Sequence, residues 1–314
     1  MHKVIFNGET LFAAHGQLLS EVLIRAGKAV EHPCGGKGIC RKCLVSVNGE
    51  NVLSCRYRVE SDIVVTVSEN EEIVSVTGAV EVGKFSENNC FVLDIGTTTL
   101  ALALVSLDDK KVISVETAVN PQRRFGADVI SRIDYCRNNG AKQLQLPLIN
   151  EINRLISLFN IGKKIPLYVA GNTTMLHLFF GIDCSTIGVA PYTPAFLDEK
   201  CLSGSQLGLS GISKVVSLPC VSSFVGADIV AGLNFVSQPG NGKYNFLIDL
   251  GTNAETVLFS SDEIICTAAA AGPCFEGVNI SCGMSASNGA IYSFTNGKAE
   301  TINNSPPKGI CGTG

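Results

Sequence analysis

The most informative run of hydrophobic and polar positions lies between Phe91 and Leu107, FVLDIGTTTLALALVSL. Apolar residues lead up to Asp94, a glycine and three threonines follow, and a second apolar run starts at Leu100, which predicts strand, tight turn, strand. The pattern recurs from Asn245 to Phe259, NFLIDLGTNAETVLF, with Asp249, Gly251, Thr252 and Asn253 at the turn. Each copy sets a carboxylate at a strand end beside a loop rich in N–H and hydroxyl donors. Gly96 lets the backbone come close to an anion, the amides around Thr97, Thr98 and Thr99 can form a concave donor nest, and Asp94 can hold a hydrated Mg2+. One DxG hairpin is a weak signal, since many hairpins carry it. Two copies predict two similar lobes closing on one nucleotide.

Upstream, residues 1–75 read as a small β-rich unit. Val4 to Phe6 and Thr10 to Phe12 predict a hairpin around Asn7 and Gly8, and Leu18, Leu19, Val22, Leu23 and Ala26 mark one helix face before Gly27. The loop HPCGGKGICRKC follows, with Cys34, Cys40 and Cys43 spaced CxxxxxCxxC, then a strand at Leu44 to Val47 and Cys55 beyond it. Three thiolates on one Gly-rich loop plus a fourth from a later strand suit a 2Fe-2S cluster, whose two irons each take two thiolates. Gly35, Gly36 and Gly38 let the loop fold over the sulfides. Buried structural cysteines do not account for three Cys within ten residues flanked by glycines. Zinc is the better rival, but its knuckles pair short spacings with fewer residues between the first two ligands.

Residues 76–89 form a polar linker, preceded by the acidic group Glu69, Glu71 and Glu72, which reads as a solvated segment. Residues 90–240 form a first lobe: after the hairpin, Lys111 to Thr117 predicts a third strand, and NPQRRFGADVISRI leads into a helix whose N-terminus Asp128 favours. Arg123 and Arg124 ahead of it suit either a phosphate or partner carboxylate, or a solvated loop. Leu148, Ile149, Ile152, Leu155, Ile156 and Phe159 predict a helix stopped by Gly162. Ile165 to Ala170 is a buried strand ending in Gly171, Asn172, Thr173 and Thr174 before a helix near Met175; those polar residues can face a cleft or simply cap the helix. His177, in MLHLFF, reads as a core histidine rather than a base. Residues 182–215 show no clear pattern. Gly226 then introduces a helix with Asp228 in its first turn, placed either to orient a water or hydroxyl in the cleft or to favour the helix N-terminus. Residues 241–314 hold the second hairpin and a third strand near Ile264. Cys266, Cys274, Cys282 and Cys311 beyond have irregular spacings and read as small buried cysteines.

Composition narrows the class. The 314 residues are 46 % hydrophobic and 17 % charged, without an apolar run long enough for a membrane span or a signal-peptide core at the N-terminus, so the expectation is a cytoplasmic protein with no membrane partner. A net charge of −4 and no basic block leave no footprint for nucleic acid. Thirteen cysteines without an export signal point to a reducing compartment and metal-bound thiolates, while four histidines make a His-rich zinc site improbable.

The cysteine spacing and the hairpin, helix, Cys loop, strand order resemble ferredoxins of the adrenodoxin type and their α+β β-grasp fold. The duplicated hairpin resembles the α/β RNase H-like lobes of the actin, sugar kinase and Hsp70 superfamily, with Asp94 to Thr99 as phosphate-1, Gly226 to Leu233 as connect-1 and Asp249 to Asn253 as phosphate-2. More narrowly, a ferredoxin unit ahead of NPQRRFGADVISRI, AGNTTMLHL, AAAGPCFEG, ISCGM and GICGTG is similar to the reductive activators of corrinoid proteins. That resemblance implies an enzyme that uses ATP, Mg2+ and a 2Fe-2S cluster on Cys34, Cys40, Cys43 and Cys55 to pass one electron to a Co(II) corrinoid protein, restoring Co(I) for methyl transfer in anaerobic metabolism. Asp94, Asp228 and Asp249 would be catalytic; Gly96, Thr97, Thr98, Thr99, Gly251, Thr252, Asn253 and Gly312 would bind nucleotide. A low-potential electron donor is a further partner, and a homodimer is compatible with the resemblance. An uphill transfer of roughly 100 mV costs roughly 2.3 kcal/mol, within reach of nucleotide-driven changes in partner affinity. The end at GICGTG with no helix after it predicts a chain cut short, with the second lobe incomplete. Two other readings stay open: a 2Fe-2S carrier with a nucleotide-sensing domain, and an activator of radical acyl-CoA dehydratases, against which the fused cysteine unit argues. A small-molecule kinase has no use for an electron carrier.

Overall fold

The computed structural model describes residues 1–28, 36, 38, 43–66, 88–236, 244–251, 253–271, 282–284 and 288–311. The first unit contains β1 (His2–Phe6), β2 (Glu9–Ala13), β3 (Gln17–Leu18), α1 (Leu19–Arg25), β4 (Leu44–Val47), β5 (Glu50–Leu53), β6 (Arg58–Val59) and β7 (Ile63–Thr66). Five of these strands form one mixed sheet in the order β2-β1-β7-β4-β5, with β1 and β7 parallel. The predicted β1–β2 hairpin turns at Asn7 and Gly8, both at positive φ. The core under α1 is Val4, Leu19, Val22, Leu23, Val45, Val59, Ile63 and Val65, together with Cys43 and Cys55.

The next unit comprises β8 (Asn89–Ile95), β9 (Thr99–Ser106), β10 (Lys111–Val119), a 3-10 turn at Pro121–Phe125, α2 (Val129–Asn139), α3 (Ala141–Leu158), β11 (Ile165–Gly171), α4 (Thr173–Phe180), β12 (Cys201–Ser203), β13 (Ile212–Ser217) and α5 (Ala227–Val236). Its six-stranded sheet runs β10-β9-β8-β11-β13-β12, with β8, β11 and β13 parallel and the edge strands antiparallel. On β9 every second residue from Leu100 to Ser106 is buried, the two-residue period of a sheet face packed on a core.

Sequence and structure differ at α3. The helix starts seven residues before Leu148 and carries Pro147 inside it. A proline ordinarily marks a helix boundary because it lacks an N–H and crowds the preceding turn. Here Leu144 and Leu148 continue one stripe through it onto Ile152, Leu155 and Ile156, and burial of that stripe outweighs the lost hydrogen bond. Gly162 does not stop the helix: α3 ends at Leu158, and the chain turns at Asn160, in the left-handed region with φ 50°. Asparagine tolerates that region through local side-chain hydrogen bonding. The unplaced stretch 182–215 contributes β12 and part of β13, on the far edge of the sheet.

The last unit holds β14 (Asn245–Leu250), β15 (Ala254–Phe259) and β16 (Ile264–Ala269) as an antiparallel meander, then β17 (Ala290–Thr295), β18 (Lys298–Thr301) and β19 (Gly309–Ile310) in a separate sheet ordered β18-β17-β19. One face of the meander packs against α5 through Val225, Ile229, Leu233, Leu247, Val257 and Phe259. Among the described residues the repeat of the first lobe stops after its three strands. Cysteine burial is also mixed: Cys311 is buried, Cys266 is half-buried and Cys282 is exposed, so the expectation of buried cysteines fails at Cys282, while Cys274 lies outside the described residues. No helix among the described residues is long and apolar enough to cross a membrane.

Candidate functional site

The parallel strands β8 and β11 end side by side, with Asp94 opposite Ala170 and Ile95 opposite Gly171. In open α/β sheets the carboxyl ends of parallel strands are where ligands bind, because the backbone there turns away and leaves donors free. Gly96 to Thr98 follow β8 at this edge, and Asn172 follows β11.

Close packing dictates the turn. A Cβ on Gly96 would lie 2.7 Å from the Thr99 carbonyl oxygen, so only glycine fits. Three buried or half-buried side chains hold the loop from behind. Asn120 Nδ2 donates to the Gly96 carbonyl (2.8 Å) while the Asn120 N–H donates to the Thr98 carbonyl (2.8 Å). Asn172 Nδ2 donates to Thr97 Oγ1 (3.1 Å), and the same residue's Oδ1 caps α4 by accepting from the Met175 N–H (2.9 Å). Capping and cleft-facing are thus both true of Asn172, each atom of the amide serving one role. Arg132 on α2, fully buried, donates through Nη2 to the Thr97 carbonyl and through Nε to the Gly126 carbonyl (2.9 Å).

The helix after β13 reaches the same edge. Gly226 runs so close to the end of β11 that a Cβ there would lie 2.4 Å from Asn172 Cα. This close approach delivers Asp228, half-buried, whose Oδ1 accepts from the Ile229 N–H (2.9 Å). From the other side, β14 supplies Asp249, and Glu255 faces it directly across the β14–β15 pair.

These carboxylates lie within electrostatic range of one another. Burial, with Asp228 and Asp249 nearby, pushes the Asp94 carboxyl up to about 6. Asp94 is reached by solvent although protein encloses most of it, the situation of a side chain on the floor of a cleft. Burial also raises Asp228, with Asp249 adding repulsion and the Ile229 N–H acting against both. Glu255 is pushed to about 7 by burial and by Asp228 and Asp249. No three acidic, cysteine or histidine side chains among the described residues stand close enough together to hold a metal ion directly, so a cation here would be reached through its bound waters, and its charge would favour the ionised carboxylates. The three predicted aspartates thus feel one another's charge, and Gly251 and Asn253 sit at the second turn, where the Gly251 N–H donates to the Asn253 carbonyl (2.8 Å). Thr252 and Gly312 lie outside the described residues. Glu255, Asn120 and Arg132 had no role in the sequence reading. Glu255 was visible only as a strand residue six positions after Asp249, and Arg132 only as a polar residue on an amphipathic helix.

The cysteine site is described in part. Cys43 and Cys55, both buried, face each other with Sγ atoms 3.3 Å apart, too far for a disulfide and close enough for two ligands of one centre. Gly36 and Gly38 adopt positive φ of 82° and 72°, and a Cβ on Gly36 would lie 3.9 Å from Cys55 Cβ, which places Gly36 beside the second cysteine. Cys34 and Cys40 lie outside the described residues.

Two other residues resolve cleanly. His177 is fully buried, donates from Nδ1 to the Thr173 carbonyl (2.7 Å), accepts at Nε2 from the Ala195 N–H (3.0 Å) and stacks on Phe196. An accepting Nε2 fixes the neutral tautomer, and burial holds its pKa down, as expected for a core histidine. Arg124 places its guanidinium 4.9 Å from the Phe125 ring centroid, with Nη1 beside Gly27.

Comparison with known proteins gives these sites a family. One model, describing the RACo middle region, matches residues 90–237, and a second, the C-terminal ASKHA domain of RACo, matches residues 243–314. A solved structure of a reductive activator for corrinoid, iron-sulfur protein superposes on all of this chain and 71 % of its own, with a TM-score of 0.64 and 27 % identity. The chain belongs to the reductive activators of corrinoid proteins. Members of that family similar to it include the corrinoid activation enzyme RamQ of Eubacterium limosum, 26 % identical over 98 % of this chain and 68 % of RamQ. The [Co(II) methylated amine-specific corrinoid protein] reductase of Methanosarcina barkeri is 30 % identical over 63 % of this chain and 39 % of its own length.

Proposed function

We propose that the protein reductively activates a corrinoid protein, using ATP to drive one electron onto a Co(II) corrinoid and regenerate Co(I) for methyl transfer. The single observation that carries the ATP reading is the convergence of Asp94, Asp228, Asp249 and Glu255 from two hairpins and one helix N-terminus. Asp94 and Asp249 would hold Mg2+ through bound water, the amides of Gly96 to Thr99 would take the phosphate oxygens on one side, and Gly251 to Asn253 would take them on the other. Asp228, raised and half-buried, is suited to orient a water at the phosphate. The carboxylates repel one another when ionised, and a bound cation would offset that repulsion and so favour a closed cleft around ATP.

Cys34, Cys40, Cys43 and Cys55 would hold a 2Fe-2S cluster, which supplies the one-electron donor when bound. Cys43 and Cys55 fit this role by their burial and their facing thiols. A low-potential donor would recharge it.

The deciding experiment mixes anaerobically reduced protein with a Co(II) corrinoid protein, with and without ATP, and follows loss of the Co(II) EPR signal. Reduction should require ATP, and Asp94→Ala and Asp249→Ala should each abolish it while the 2Fe-2S EPR signal persists. Reduction at full rate without ATP would favour a plain electron carrier, and full activity in both variants would put the metal and phosphate site elsewhere.

A further inference from the structure

Arg124 stands where two units of the chain touch. The 3-10 turn Pro121–Phe125 is anchored at one end by Asn120, fully buried, whose side chain accepts from the Gln122 N–H (2.9 Å) and donates to the Gly96 carbonyl, and whose N–H donates to the Thr98 carbonyl. The last residues of the turn point to the cysteine unit. Arg124 Nη1 lies 3.9 Å from where a Cβ on Gly27 would be, at the end of α1. Ile24 of α1 packs on the core of the first lobe, and Glu21 is close enough to act electrostatically on Tyr135, whose ring lies 4.7 Å from that of Phe125. Arg124 Nε is buried without a hydrogen-bond partner among the described residues. Just beyond Gly27, the Lys28–Glu9 ion pair ties the chain to β2, and the chain then continues toward Cys34.

We infer that Arg124 is a positioning residue that transmits occupancy of the phosphate loop to the cysteine unit. The inference rests on the nucleotide reading given above. A ligand that draws the amides of Gly96 to Thr99 toward itself also moves the Gly96 and Thr98 carbonyls, because each peptide unit is rigid. Asn120 is hydrogen-bonded to both carbonyls and starts the short turn, so their movement is passed to the guanidinium at its other end. There the guanidinium lies beside Gly27, two residues past the end of α1. Moving the guanidinium changes how firmly the end of α1 is held against the first lobe. Contiguous packing supplies the route, and only a measured dependence of one end on the other establishes coupling.

Hydrogen exchange on the whole protein, with and without a non-hydrolysable ATP analogue plus Mg2+, reads both ends at once. In the wild type, the analogue should slow exchange at residues 94–100 and alter it at residues 19–28. Arg124→Ala should keep the slowing at 94–100, with analogue affinity within about twofold, and lose the change at 19–28; Arg124→Lys, which retains the charge, should restore part of it. An unchanged 19–28 in the wild type despite protection at 94–100, or an undiminished response in Arg124→Ala, overturns the coupling and leaves nucleotide binding standing. No response at 94–100 overturns the nucleotide reading, and the coupling with it.

Discussion

The two hairpins share a sequence pattern and differ in what surrounds them. β8 and β9 sit inside a six-stranded sheet with helices against it, and Leu93, Ile95, Leu100 and Leu102 are fully buried. β14 and β15 belong to a three-stranded meander covered on one face by α5, and Phe246, Ile248 and Leu250 stand exposed on the other. The turns follow suit: Gly96 has no room for a side chain, while among the described residues the nearest atom to a Cβ on Gly251 is the Asn253 carbonyl oxygen, 3.8 Å away. A repeated motif thus conserves chemistry at the turn without conserving the structural demand on each residue. The first copy is a fixed jaw, held by Asn120, Arg132 and Asn172; the second brings its carboxylates to it with fewer constraints.

Stability measurements test that contrast most strongly in the core. Leu102→Ala should lower the unfolding free energy by about 2–5 kcal/mol, whereas Ile248→Ala should fall within about 0.5 kcal/mol of wild type in the same urea titration. A large loss at Ile248 would mean that the open face is covered in solution. Next in size, Gly96→Ala must displace the Thr99 carbonyl and should cost about 1–3 kcal/mol, with nucleotide binding lost as well; Gly251→Ala should unfold like wild type. Equal costs at the two glycines would erase the distinction between the jaws.

The remaining test is in pH. Asp94 at about 6 and Glu255 at about 7 are raised above their ordinary values, so between about pH 4 and pH 7 the folded state binds more protons than the unfolded chain. Stability without Mg2+ should therefore be fully present at the acidic end and decline as pH rises through that window. Asp94→Asn should remove the lower part of the slope and Glu255→Gln the upper part, and Mg2+ should flatten it by favouring the ionised carboxylates. A slope unchanged in both variants would show that the two jaws do not share one field.

Much of this was legible in the chain. Both hairpins, and the places of Asp94, Asp228 and Asp249 at strand and helix ends, follow from local rules: period-two burial and glycine at tight turns. The β1–β2 hairpin, α1, α4 and α5 also lie where periodicity and capping residues place them. Local rules misplaced the start of α3, because they weigh Pro147 by its missing N–H and cannot weigh the core that the stripe from Leu144 to Ile156 fills.

Residue type and spacing by themselves determined which groups could do chemistry, since a carboxylate at a strand end or a thiolate on a glycine loop is a property of the local chain. Only the tertiary structure decided which of them meet. Glu255 joins the aspartates because β15 folds back on β14 with Asp249 and Glu255 opposite each other. Arg132 reaches Thr97, and Asn120 reaches Gly96, because helix and sheet pack at van der Waals distance, bringing residues far apart in sequence within hydrogen-bonding range. That proximity is set by burial of the whole core, and no local pattern encodes it.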